Sequence, residues 1–106
     1  MEPGELLAIW LHDDAAKVFL GIQGAHPVSR WVVVCKVQAH TAIGVWVEVQ
    51  RLEERRPATV DEAAKTVVWQ VTPPECVIRY DYMITAQRLK GAEPPDDPRP
   101  TPGVYL

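Results

Sequence analysis

Alternating apolar and polar positions in the middle of the chain predict a β-rich fold. The clearest alternation runs from 44 to 52, where every second residue from 45 to 49 is valine and Trp46 falls on the other face. A period of two is typical of a strand with one buried face. The segment 30–38 is rich in β-branched and aromatic residues, which also favours a strand. We expect two adjacent strands separated by a short bend at 40–42.

Three more strands are predicted further along the chain. The segments 66–71, 76–80 and 83–89 are rich in valine, isoleucine and aromatic residues. A proline pair at 73–74 separates the first two, because proline has no N–H to donate to a central ladder. The polar stretch 53–65 is predicted to be a solvated loop that contains at most a helical turn.

The N-terminal quarter has a pattern that fits two structures. Apolar residues recur at helical spacing from Leu7 to Ile22, and Pro3 suits the first turn of a helix. We expect a short helix over about 4–14, followed by a first strand over about 17–23. A strand–turn–strand hairpin is the alternative.

These elements predict a mainly β domain over residues 1–90, built as a small five-stranded antiparallel barrel with a short N-terminal helix. The composition changes at Gly91, after which five prolines fall between 94 and 102 among charged residues. Such a segment cannot bury a core, so 91–106 is predicted to be a flexible proline-rich tail. Its end, Val104 to Leu106, makes the tail a candidate docking peptide for a protein partner.

Charge and composition exclude several classes of protein. The chain of 106 residues is one domain by size, and its formal net charge is −3. A free-standing nucleic-acid binder usually has a basic excess, so an RNA-binding role has to rest on a local patch. No run of 18 apolar residues is present and the N-terminus lacks a basic signal region. We therefore expect no membrane association and a cytoplasmic location.

The sequence offers little support for catalysis or metal binding. The only serine, Ser29, lacks the glycine-flanked context of a hydrolase nucleophile. The three histidines lack metal-ligand spacing, and no Cys-x-x-Cys motif is present. Cys35 and Cys76 lie in apolar runs, where they are expected to be reduced, buried hydrophobes. We assign no catalytic residue, metal ligand or cofactor, and favour a protein that is not an enzyme, with the question left open.

Apolar residues on both faces of several strands predict self-association. A small barrel needs one apolar face, so further apolar positions call for a covering helix, a ligand or a partner subunit. A homo-oligomer is the interpretation we favour. The positions expected at its interface are Val32, Val34, Trp46 and Val68.

The segment Val77-Ile78-Arg79-Tyr80-Asp81-Tyr82-Met83-Ile84 resembles the second motif of the Sm-like family of small β-barrels. The resemblance extends loosely over 4–89 and implies an Sm-like or SH3-like barrel that forms rings by edge-strand pairing. It implies an RNA contact through Arg79 with Asp81 as its supporting partner. It also places His40, a further candidate RNA-binding residue, at the bend of the first motif. The chain departs from the family at Tyr80, where the motif has glycine, and lacks the base-holding asparagine at the bend.

The function expected from these observations is a non-enzymatic, oligomeric interaction or scaffold module. RNA binding in the manner of an Sm-like protein is one alternative, and a small-molecule-binding or catalytic barrel is another. For Arg79, the competing interpretation is an arginine at a strand end that is paired with Asp81 or Glu75.

Overall fold

Six antiparallel strands form the described part of the fold. A computed structural model describes residues 2–12, 15 and 29–89. A single 3₁₀ turn, Tyr80–Tyr82, joins the last two strands. The strands are β1 (Leu6–Leu11), β2 (Arg30–His40), β3 (Gly44–Arg56), β4 (Lys65–Trp69), β5 (Glu75–Arg79) and β6 (Met83–Arg88).

The strands make one sheet in the order β4-β3-β2-β1-β6, with β5 also paired to β3. The strand β3 has 13 residues and pairs with two strands along the same edge. Its first half pairs with β5 and its second half pairs with β4. An irregularity in the β2–β3 register between Val34 and Cys35 leaves Gln50 as an extra residue on β3. Such a bulge bends and twists a long strand.

The predicted mainly β, antiparallel architecture is confirmed, but the predicted closed barrel is wrong. Among the described strands, β6 pairs with β1, and it does not pair with β4 or β5. The chain passes from β5 through the 3₁₀ turn into β6 on the far edge of the sheet. The sheet therefore remains open between these edges.

The main core lies on one face of this sheet. The valines at 45, 47 and 49 are buried there, whereas Trp46 between them is 43% exposed, as the alternation predicts. Trp69, Val71, Tyr82 and Met83 pack against the margin of this core. Its buried residues are Leu7, Ile9, Leu11, Trp31, Val33, Cys35, Val37, Val45, Val47, Val49, Leu52 and Ile78.

The N-terminal helix predicted over 4–14 is wrong, because Leu6–Leu11 forms β1 in the interior of the sheet. Residues 7–11 are all buried, so both faces of this strand are apolar. A short continuous apolar run matches a helical stripe and a fully buried strand equally well. The predicted strand at 17–23, the alternative hairpin and the predicted tail at 91–106 lie outside the described residues.

The solvated loop predicted over 53–65 is also wrong in its first part. β3 continues to Arg56, and both Glu53 and Glu54 are buried. The polar composition of this stretch does not indicate a strand, because the burial of its carboxylates depends on ion pairs with nearby arginines. The predicted strands at 66–71, 76–80 and 83–89 are observed with shifts of one or two residues at their ends.

A second, smaller apolar cluster occupies the opposite face of the sheet. Ala8, Trp10 and Val32 are fully buried there, and Ile84 and Leu89 pack against them. The apolar positions on both faces thus have buried surroundings within one chain over this part of the sheet. Among the described residues, no helix has the length and apolarity needed to cross a membrane.

Candidate functional site

The outer face of the β3–β5 pair carries an ordered row of side chains. The register places Gly44 opposite Arg79, Trp46 opposite Val77, and Glu48 opposite Glu75. Residues directly opposite in an antiparallel pair share a face of the sheet. The row, which we call the outer stripe, therefore runs from Arg79 through an apolar centre to two carboxylates. Its members are Glu48, Glu75, Trp46, Val77 and Arg79.

Glycine at position 44 is what lets β5 approach β3 at this end. A Cβ atom at Gly44 would lie 2.3 Å from the carbonyl oxygen of Ile78 and 2.9 Å from the Cα atom of Arg79. Cβ atoms essentially never come this close to backbone. The missing side chain therefore permits the close pairing of β3 and β5 that places Arg79 opposite Gly44.

The Arg79 side chain makes a two-point ion pair with Asp81. Arg79 Nε lies 3.0 Å from Asp81 Oδ1, and Nη2 lies 3.2 Å from Oδ2. This hydrogen bond and the charge of Asp81 raise the pKa of the Arg79 guanidinium above its usual value. The guanidinium also lies 5.7 Å from the ring centre of Tyr82. The pairing of Arg79 with Asp81 expected from the sequence is present, while contact of either residue with RNA stays a prediction.

His40 lies at the same end of the sheet, where β2 turns into β3. It is exposed, and its register partner is Val45. The turn is held by Thr41, whose Oγ1 accepts a hydrogen bond from the Gly44 N–H at 2.9 Å. The Tyr80 N–H in turn donates to the Ile43 carbonyl at 2.9 Å. The structure thus brings together the two segments that carry the residues predicted to bind RNA.

The four predicted interface residues fall into two groups. Val32 and Val34 are buried within the single chain and present no free surface. Trp46 and Val68 are 43% and 62% exposed and lie on β3 and β4. Trp46 belongs to the outer stripe, and Val68 lies toward the other end of β3, opposite Glu53.

The sequence did not predict that the carboxylate of Glu54 is buried. It is fully buried on the core face and accepts hydrogen bonds from the side chains of Ser29, Trp69 and Arg56. Ser29 Oγ donates to Oε2 at 2.5 Å, while Trp69 Nε1 and Arg56 Nη2 donate to Oε1 at 3.1 and 3.2 Å. A buried charge is tolerated when it is paired and hydrogen-bonded in this way.

Its neighbour Glu53 is buried on the other face of β3. Arg51 Nε lies 2.5 Å from Glu53 Oε2, and Arg55 Nη2 lies 3.1 Å from Oε1. The Arg55 guanidinium also sits 5.1 Å from the ring centre of Trp10. The sequence carries a signal for both sites, since oppositely charged residues two apart on a strand share a face.

The free thiol of Cys35 allows its burial in the core to be tested through the pH dependence of stability. Burial, with a smaller contribution from Cys76, raises the pKa of Cys35 to about 12 from 9.0. Between these values the unfolded chain loses the thiol proton and the folded chain keeps it, so stability should fall as pH rises. The free energy of unfolding should fall by up to about 1.4 kcal/mol per pH unit from this group.

Urea denaturation between pH 8 and 11 measures this dependence. Cys35→Ala should remove the thiol's part of the slope, and Cys76, which is less buried, remains in both proteins as the internal reference. Equal slopes for the wild type and Cys35→Ala would show that the thiol is not held protonated by the core.

Comparison with known proteins gives no relative, since no family model, curated protein or solved structure matches the chain. Within the described ranges, no three His, Cys, Asp or Glu side chains are grouped so that they could hold a metal ion. The outer stripe is the feature of the sheet from which a function can be inferred.

Proposed function

We propose that this domain is a non-enzymatic interaction module that self-associates through the outer stripe. The proposal is supported by the order in which acidic, apolar and basic side chains follow one another along the stripe. Carboxylates lie at one end, Trp46 and Val77 in the centre, and Arg79 at the other end. A surface with this order is complementary to a second copy of itself.

Two copies of the chain related by a two-fold axis through the apolar centre would bring complementary groups together. In a two-fold contact the same patch on each copy meets its counterpart in reversed direction. Trp46 then packs against the Trp46–Val77 pair of the second copy. Arg79 of each copy faces the carboxylates of the other. Since Arg79 uses only Nε and Nη2 for Asp81, its remaining N–H groups are free to donate outward.

The charges of the isolated chain favour such a contact. Glu48 and Glu75 are directly opposite each other, and like charges in this arrangement destabilise a strand pair. Lys36 lies on the other side of Glu48 and offsets part of that repulsion, which leaves Glu75 as the exposed, unbalanced carboxylate. A guanidinium from a second copy would supply the missing positive charge.

The residue types also suit a protein interface. Tryptophan, tyrosine and arginine are the residues that most often dominate binding energy at interfaces. Trp46 is 43% exposed, and Tyr80 and Ile43 beside the stripe are 40% and 62% exposed. These apolar side chains at the rim extend the stripe into a surface that a partner can cover.

A charge exchange across the contact tests the proposal. Arg79→Glu should prevent self-association because it places two carboxylates against each other, and Glu75→Arg should do the same with two guanidinium groups. An equimolar mixture of the two variants should re-form a dimer, since each contact then joins opposite charges. Sedimentation velocity at micromolar concentration distinguishes the three samples.

Two single substitutions provide the matched control. Trp46→Ser should weaken self-association by about tenfold or more, as expected for the central aromatic of an interface. Val60→Ser removes an apolar side chain that is fully exposed in the loop before β4, outside the outer stripe, and should leave the mass unchanged. Equal behaviour of the two variants, or failure of the mixture to associate, would contradict the proposal.

RNA binding through Arg79, as implied by the resemblance to Sm-like proteins, is the second proposal for this surface. The two-point ion pair with Asp81 argues against it, because a phosphate or base would have to compete with that carboxylate. The self-association proposal therefore ranks first.

A further inference from the structure

An open groove lies directly beyond the acidic end of the outer stripe. It encloses about 340 Å³ between residues 49–51 of β3 and residues 68–72, where β4 ends. Glu48 is the last member of the stripe on β3, so the groove begins at the next position along the strand. The Val49 N–H donates to the Pro74 carbonyl at 2.7 Å, which ties the segment before β5 to β3 at the boundary between stripe and groove.

The extra residue Gln50 keeps the groove on the same face of the sheet as the outer stripe. Glu48 lies opposite Lys36 on β2. Arg51 lies opposite Val34, which is two residues from Lys36 and therefore shares its face. Arg51, which lines the groove, is thus on the outer face although it follows Glu48 by three residues. Stripe and groove form one continuous surface.

The groove combines an exposed apolar side chain with polar groups. Of the apolar residues that line it, Val49, Trp69 and Val71 belong to the main core or pack against it, whereas Val68 is 62% exposed. Three further residues of the lining carry amide or hydroxyl groups; they are Gln50, Gln70 and Thr72. Such groups both donate and accept hydrogen bonds, so the lining can pair with main-chain groups of a partner.

The turn between β2 and β3 is the counterpart of the groove at the other end of the stripe. Ile43 in this turn is 62% exposed and comes directly before Gly44. It lies three residues before Trp46, and Val49 lies three residues after Trp46. A two-fold axis at Trp46 that reverses the strand direction therefore sets the turn of one copy against the groove of the other.

The outer stripe by itself is too small for a stable interface. The strand β5 has 5 residues, so its pair with β3 has a footprint of about 16 by 10 Å, or about 160 Å². Each partner in a standard interface buries about 800 Å² of surface. A dimer formed through the stripe therefore has to extend along the sheet, and the two-fold arrangement extends it into two grooves at once.

We infer that the groove receives the β2–β3 turn of a second copy, with Ile43 against Val68. The inference rests on the proposed self-association and names the contact that completes it. Residues 41–43 are exposed, and their main-chain groups face the amide groups of Gln50 and Gln70 in this arrangement. Because a two-fold contact is reciprocal, each copy inserts its turn into the groove of the other.

A double-mutant cycle tests the contact, with the dissociation constant of the dimer measured by sedimentation equilibrium. Ile43→Ala and Val68→Ala should each weaken self-association about tenfold, since the symmetry repeats each lost contact twice. The double variant should fall well short of the about hundredfold loss expected for independent sites, because either substitution alone removes the same contact. Val60→Ala, at a fully exposed valine in the loop before β4, should leave the constant unchanged.

Isotope-edited NMR on a mixture of ¹³C-labelled and ¹⁵N-labelled chains locates the contact directly. NOEs should join the Ile43 methyl groups of one chain to the side-chain amide of Gln50 or Gln70 in the other. Within one chain, Ile43 and Gln50 are separated by about 23 Å along an extended strand, so such an NOE reports a contact between copies.

Two results would overturn the inference, and they differ in what they leave standing. The wild type could self-associate and be weakened by Trp46→Ser, while Ile43→Ala and Val68→Ala have no effect or act independently of each other. The groove would then lie outside the contact, and self-association through the outer stripe would stand. A wild type that stays monomeric at the concentrations used for NMR would overturn both proposals.

Discussion

Glu54→Ala should destabilise the fold by about 3–5 kcal/mol, the usual cost of removing one partner of a buried ion pair. The substitution leaves the Arg56 guanidinium with an unpaired charge at the core margin. It also leaves the Ser29 hydroxyl and the Trp69 indole N–H without their acceptor. Urea denaturation followed by tryptophan fluorescence measures the change, and Trp69 reports directly on the site.

Two further variants separate charge from burial. Glu54→Gln keeps the size of the side chain and an acceptor oxygen. It should therefore lower the free energy of unfolding by less, about 1–3 kcal/mol. Glu62→Ala removes an exposed carboxylate in the loop before β4 and should stay within about 0.5 kcal/mol of the wild type. A loss below about 1 kcal/mol for Glu54→Ala would show that the buried carboxylate does not hold the strand ends together.

Gly44→Ala should destabilise the protein by about 3 kcal/mol, at the upper end of overpacking costs, because the obstruction is backbone. The added Cβ would meet the Ile78 carbonyl oxygen at 2.3 Å, so β5 must move away from β3. Amide hydrogens of Glu75–Arg79 should therefore lose protection from exchange. Those between β1 and β2, in the middle of the sheet, should keep it.

The matched control for this change is His40→Ala at the same hairpin. His40 is exposed, so its removal should change stability by no more than about 0.5 kcal/mol. Unchanged protection of β5 in Gly44→Ala, together with a loss below about 1 kcal/mol, would show that β5 does not depend on the glycine for its place.

The sequence was informative where one face of a strand is buried and the other is not. In β3 the alternation around Trp46 predicts both the strand and its core face. It fails in β1, where residues 7–11 are buried on both faces and periodicity cannot separate strand from helix. It also fails for Glu53 and Glu54, because their burial depends on arginines and a serine that the fold brings into contact.

Among the candidate sites, contacts between residues close in sequence could be predicted, whereas contacts set by the fold could not. The pairing of Arg79 with Asp81 is local, two residues apart, and could be predicted from the sequence. The outer stripe could not, because it depends on the register of β5 against β3 across a long connection. Likewise, Val32 and Val34 look like interface positions in a strand pattern, and their burial becomes visible only when the whole chain is folded.

The mass of the wild-type protein in solution tests the central proposal most directly. Multi-angle light scattering at micromolar concentration should report at least twice the chain mass of 11.9 kDa, and the mass should fall toward that of one chain on dilution. Added salt should promote dissociation, because Arg79 and Glu75 contribute through charge. A mass of 11.9 kDa throughout the micromolar range would contradict self-association through the outer stripe.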